Sequence, residues 1–243
     1  MPPLCYTGGV RPVAHLSVTH GPSLHLDLLL KFMSTPNSAP DRDLSRRFIF
    51  EQSDIRGEIV NLADTYTDVL AHNAHAPVVQ QLLGEFLSAA SLLASTLKFD
   101  GILTLQARGE GPLPFIMAEC THDRALRAIA RPSADADFDA LTPAAGAPAP
   151  IRQLLGKGVI AITIEPAQGQ RYQGLVPLDA EHLSGCLEHY FEQSEQLQTR
   201  IWLCAENQTS AGLLLQALPQ SKTTEAITGP ERQDIWDTAV ALA

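Results

Sequence analysis

From Pro77 onward, apolar side chains return every three or four residues: Val78, Leu82, Phe86, Leu93 and Leu97 lie on one stripe, with Val79, Leu83, Leu87, Ala90 and Ala94 beside it. That period predicts an amphipathic helix, and Pro77 fits its first turn, where a missing N–H costs nothing. Ala89, Ser91 and Leu92 make its second half apolar nearly all round, so the helix belongs between two layers. Other segments follow the two-residue period of strands. Ile55 to Leu62 alternates, and a short helix is expected from Ala63 to Ala71. Three strand pairs then follow, each bounded by turn formers: Ile102–Arg108 with Phe115–Cys120, Val159–Glu165 with Tyr172–Val176, and Ile201–Ala205 with Gly212–Ala217. Pro132 to Pro150, rich in Ala, Pro and Asp, reads as a surface loop. Asp179 is expected to cap a helix running to about Gln193, with Leu183, Cys186, Leu187, Tyr190 and Phe191 inward. A strand and helices followed by hairpins and one more helix give an α+β fold: antiparallel β-hairpins forming sheets packed against a long buried helix and further helices.

The first residues break this grammar. Residues 1–45 are rich in Pro, Ser, Thr, Gly and His without a sustained period, and we expect a disordered extension there. Met33 stands before a polar stretch and is read as an alternative natural start. Residues 46–220 then form the core domain, and residues 221–243 the start of a linker region.

Composition narrows the function. The 243 residues are 45% hydrophobic and 18% charged, which is globular rather than disordered. A formal net charge of −10 argues against nucleic acid, whose phosphates need a basic face. The basic clusters Arg42, Arg46, Arg47 and Arg124, Arg127, Arg131 read as solvated charge. The apolar segment Leu24 to Phe32 is interrupted by His25, Asp27 and Lys31 and has no cleavage site, so neither a signal peptide nor a membrane partner is expected. A cytoplasmic protein follows.

Candidate chemistry is sparse. Cys5, Cys120, Cys186 and Cys204 show no C-x-C or C-x-x-C spacing and read as structural thiols of a reducing compartment. His72 and His75 share a spacing that suits a metal but lack an acidic or thiol neighbour. Cys120 and His122 would share a strand face as nucleophile and base, without an orienting third group. The Gly109-Glu110-Gly111-Pro112 turn has no Lys-Ser/Thr after it and carries a glutamate that repels phosphate, so it is a hairpin turn. Ser194 and Glu195 lack a histidine at defined spacing. We expect no enzyme and no catalytic or metal residues.

Six phrases carry more information together than any one alone. They are Arg56-Gly57-Glu58-Ile59-Val60, Leu97 to Gly101 running into Leu103-Thr104-Leu105-Gln106, Gly109 to Leu113, Arg171-Tyr172-Gln173-Gly174, Tyr190 to Thr199, and Gly212 to Gln216. In this order, over roughly Phe48 to Pro219, the chain resembles the heat-shock protein 33 family. The resemblance implies a redox-regulated, ATP-independent holdase of the bacterial cytoplasm. Such a protein binds unfolding or oxidatively damaged client proteins through exposed apolar surface and dimerises on activation, so a homodimer is an implied partner. It also implies a helical linker and a C-terminal zinc module with C-x-C and C-x-x-C pairs, whose oxidation releases the metal and unfolds the shield. No such cysteines occur before Ala243, so we expect no zinc in this chain, a truncated linker from Glu231, and either an unregulated holdase or an inactive remnant. A small-molecule-binding or enzymatic α+β domain, with a pocket between the sheets, is the alternative from another class.

Overall fold

The computed structural model describes residues 42–50, 53–72, 74–97, 100–141, 143, 147–219 and 229–243, and the backbone path of 11–18. Among the described residues, ten strands form two five-stranded sheets. The first has the order β1-β2-β3-β10-β9, from Arg11–Val18, Asp43–Phe50, Ile55–Leu62, Thr209–Ala217 and Thr199–Glu206. The second has the order β6-β5-β4-β7-β8, from Leu126–Arg131, Phe115–Thr121, Gly101–Gly109, Gly158–Pro166 and Tyr172–Pro177. All pairings are antiparallel except β1 with β2. The helices are α1 (Asp64–His72), α2 (Pro77–Thr96), α3 (Ile151–Leu155), α4 (Leu183–Tyr190) and α5 (Gly229–Ala241).

The sequence-predicted α+β architecture is the observed one. Helix α2, twenty residues with Pro77 in its first turn, is buried from Val78 to Ser95 between the two sheets. It is long and apolar enough to cross a membrane, yet 89% of its apolar window is buried in the protein, which accounts for its composition as a core helix. Ser88 on this helix and Ser210 hydrogen-bond each other, Ser210 Oγ donates to Gly84 O at 2.5 Å, and Ser95 Oγ donates to Leu92 O at 2.6 Å, while the buried Ser91 Oγ has no partner among the described residues. Among the described residues α2 thus fills the space between the sheets, where the small-molecule-binding alternative would place its pocket.

Three of the ordered phrases meet at the C-terminal end of α2. Glu58 on β3 is buried against the Arg47 guanidinium, which also donates to the Ser95 carbonyl. Arg56 Nε donates to Gln216 Oε1 at 3.1 Å, and Gln216 Nε2 donates to Thr199 Oγ1 at 3.0 Å. The network ties four neighbouring strands to one helix end, which is why polar residues recur in an otherwise apolar sheet. The turn Gly109 to Leu113 is explained by backbone approach: a Cβ on Gly111 would stand 2.5 Å from Leu154 O, and Gly111 N donates to Leu155 O at 2.6 Å. Only glycine lets this turn seat on α3.

Some expectations need correction. Disorder over 1–45 does not hold at Arg11–Val18, which pairs with β2, nor at Asp43, where β2 begins; residues 1–10 and 19–41 lie outside the described residues. Asp179 does not cap α4. His182 holds that position without a side-chain bond, and the Asp179 carboxylate instead faces His189 Nδ1 at 3.4 Å. The α-helix stops at Tyr190, not Gln193, and widens into a π-turn over Phe191–Glu195 that ends with Gln196 in a left-handed conformation, φ 54°. Pro132 to Pro150 is not simply surface: Phe138 and Ala149 are buried in the core. It also follows a strand, β6, that the charged spacing of Arg127 and Arg131 concealed.

Candidate functional site

Alternation along the first sheet sends one set of side chains onto α2 and the other outward. Around Ile55 and Leu215 the outward set is apolar, with Arg46, Asn61 and Arg200 at its margins. Phe48 lies opposite Gly57, Gly57 opposite Leu215; Phe50 pairs with Ile55 and Ile55 with Ala217; Leu213 pairs with Trp202. The Phe48 and Phe50 rings meet edge to face, centroids 5.6 Å apart. The tip of the Phe48 ring sits so close over Gly57 that a Cβ there would stand 2.0 Å from its Cζ. We predict that Gly57→Val swings this ring away and costs about 1–3 kcal/mol, read as a lowered urea midpoint together with looser packing of α5.

One described element covers this face. Helix α5 lays Trp236 and Ala239, 3% and 5% exposed, against Ile55 and Leu215, with Ile235 and Val240 alongside. Its polar face is turned to solvent, where Gln233 Nε2 donates to Asp237 Oδ1 at 2.8 Å. Arg232 adds an anchor by donating to Leu218 O. Pro230 and Glu231 in the first turn suit a helix start. A helix of 13 residues with so narrow a stripe is marginal alone in water, so its order depends on docking. The tail expected to be only the beginning of a linker thus packs as a cover on the core sheet. Nothing in a local pattern announced this, because its partner strands lie far away in the chain.

The other sequence candidates are not brought together. Cys120 is fully buried, facing the core, and burial pushes its thiol up to about 12. Such a thiol is inert, and His122 stands exposed in the turn after β5. Cys186 is also buried and its thiol pushed up by burial; Cys204 is exposed on the outward face of β9; Cys5 lies outside the described residues. His72 Nδ1 lies 2.8 Å from the Asp68 carbonyl within its own helix. Among the described residues no group of three or more His, Cys, Asp and Glu could hold a metal. Glu195 Oε1 accepts from the Tyr190 hydroxyl at 3.3 Å, and that hydroxyl lies 3.0 Å from Tyr172 Oη. Glu188 Oε1 accepts from Ile201 N at 2.8 Å while its other oxygen pairs with Arg200. Within the phrase, Tyr190 and Glu195 tie the helix end to Tyr172 on β8, and Glu188, just ahead of it, ties the helix to β9.

A cavity of about 650 Å³ opens between α1, the start of α2 and the β9–β10 turn, lined by Tyr66, Gln80, Gln81, Pro143 and Asn207 among others. Beside it Glu85 is fully buried. Its Oε1 accepts from Ala149 N at 2.7 Å and from Gln81, and its Oε2 has no partner. Burial raises this carboxyl to about 8, against which the two hydrogen bonds act weakly.

A family model described as Hsp33 protein matches residues 43–239. The 33 kDa chaperonin of Ectopseudomonas mendocina (strain ymp) is 50% identical over 201 residues, covering 83% of this chain and 64% of that protein. That of Pseudomonas fluorescens (strain SBW25) is 47% identical over 204 residues, with 84% and 64% covered. The chain thus spans 64% of the length of these relatives. In fold it is similar to the 33 kDa chaperonin, a heat shock protein 33 homolog, of Thermotoga maritima: TM-score 0.63 at 18% identity, covering 78% of this chain and 64% of that one. The ordered phrases, the two-sheet architecture and the matched span 43–239 agree: this chain belongs to the Hsp33 family of chaperones.

Proposed function

We propose that the chain works as an ATP-independent holdase, whose client surface is the outward apolar face of the first sheet and whose cover is α5. The observation that carries this reading is the cluster of Ile55, Leu213, Leu215, Phe48 and Trp202, which among the described residues is shielded by one marginal helix. Contiguous apolar area of this kind marks a docking surface, and burying it contributes roughly 25 cal/mol per Å². No reactive group is required. An unfolding segment competes with α5 for the same side chains, so client capture and cover release are one equilibrium. We place this work in the cytoplasm, with unfolding or oxidatively damaged proteins as partners. The redox control implied by the resemblance needs C-x-C and C-x-x-C pairs that this sequence does not contain, so client capture alone is proposed.

Suppression of light scattering from a heat-unfolding enzyme tests the surface. The chain is expected to suppress it, and Trp202→Ser/Leu213→Ser is expected to need several-fold more chain for the same effect. Equal suppression by both would overturn the assignment of the face.

A further inference from the structure

The second sheet also has an outward face, and its cross-strand rows differ in kind. One row, Arg127, Glu119, Thr104, Thr163 and Gln173, satisfies itself: Arg127 pairs with Glu119, Thr104 Oγ1 donates to Glu119 at 3.1 Å, and Gln173 Nε2 donates to Thr163 at 2.9 Å. The next row is nearly apolar, running from Ile129 through Met117, Gln106 and Ala161 to Leu175, which is 65% exposed. The third holds Arg131, Phe115, Arg108 and Val159, the last 44% exposed. Both guanidiniums lie over the one phenyl ring, with Cζ 5.5 Å and 5.2 Å from its centroid. Neither has a carboxylate within ion-pair distance among the described residues, in a chain whose net charge is −10. The apolar row ends on β8, an edge strand whose far side has no partner among the described residues.

We propose that this face is a second client-contact surface, taking extended segments in which carboxylates alternate with apolar side chains. It rests on the holdase reading and names the client chemistry that reading leaves open. Two-residue alternation in the client matches the pleat. Apolar side chains pack along Met117, Ala161 and Leu175, and carboxylates reach Arg108 and Arg131 in the adjoining row. The two arginines are held in place by Phe115, so little side-chain freedom is lost on pairing. Arg108 and Arg131 beside an apolar row that ends on an open strand edge match carboxylates spaced along an extended chain, so the partner recognised is a short unfolded acidic stretch rather than a folded surface.

Fluorescence anisotropy of labelled extended peptides tests this. Each peptide has leucine at alternate positions, with glutamate, lysine or glutamine between. The full chain is expected to bind the glutamate peptide tightest. Arg108→Ala/Arg131→Ala should weaken that peptide about tenfold, as two partly exposed ion pairs allow, and leave the glutamine peptide within about twofold. Leu175→Ser, at an exposed site that folding does not need, should weaken all three alike. Binding of the glutamate peptide that ignores the arginines overturns the proposal and leaves the holdase reading standing. Failure of every peptide to bind overturns both. A dimer that dissociates in the double-arginine variant, with peptide binding unchanged, makes the occupant a second copy and overturns it as well.

Discussion

Replacing Trp236 with alanine is expected to release α5 without unfolding the core. The indole fills the contact between α5 and the sheet, buried against Ile55 and Leu215. Truncating a buried aromatic typically costs about 3–5 kcal/mol. For a helix held by four apolar side chains that is most of its docking energy, and each 1.4 kcal/mol shifts the docked-to-free ratio about tenfold. The hydrophobic core around α2 lies on the opposite side of the first sheet and makes none of these contacts. Trp236→Ala should therefore bind an apolar dye more strongly, lose helical signal equivalent to α5, and suppress client aggregation at a lower ratio of chain to client. Its main unfolding transition should move little. A variant that unfolds as a whole at a much lower temperature would show that α5 is part of the core rather than its cover.

A second large effect is expected from pH. Glu85 has its folded-state value raised from 4.5 to about 8 by burial, so between those two values the folded chain binds a proton that the unfolded chain has released. Stability from this group is thus greatest at or below about pH 4.5 and declines as pH rises through about 8. The full span amounts to roughly 4–5 kcal/mol, at 1.36 kcal/mol per pH unit. The other titratable groups facing this region are Glu206 at the cavity rim and Tyr66, a neutral phenol whose pKa is raised further by burial and by Glu85 itself. Above about pH 8 the ionised carboxylate has Ala149 N and Gln81 on one oxygen and nothing on the other. Glu85→Gln keeps an acceptor for Ala149 N and cannot ionise. Its denaturant midpoint should stay nearly flat from pH 6 to 9 while that of the parent chain falls. Parallel slopes in the two proteins would remove Glu85 as the cause.

How much of this could be read from the chain depends on how local each signal is. The stripe from Val78 to Leu97 and the three hairpins were legible because their periods are set by neighbours a few residues apart. Glu85 sits inside the same stripe and was invisible as a buried acid, since an isolated carboxylate at one helical position looks like the edge of the polar face. Strand β6 was hidden because Arg127 and Arg131 point outward at a two-residue spacing, which a charge count reads as a cluster. The candidate site was least legible. Its outward residues on β2, β3, β9 and β10 come from segments up to about 170 residues apart, and the stripe Ile235, Trp236, Ala239, Val240 gains meaning only once those strands are paired. The ordered phrases identified the family well, but the polar ones report the network at the end of α2, not the client surface.

A photo-crosslinking side chain placed at position 213 tests the central claim most directly, because that position lies beneath the edge of α5. Without client, irradiation should join it to a residue within 229–241. With a heat-unfolding client present, that intrachain product should fall as a client product rises, and a control at position 153, exposed on α3 and away from both sheet faces, should give little of either. Full intrachain yield while client is held, or equal client yields at 213 and 153, would contradict the account.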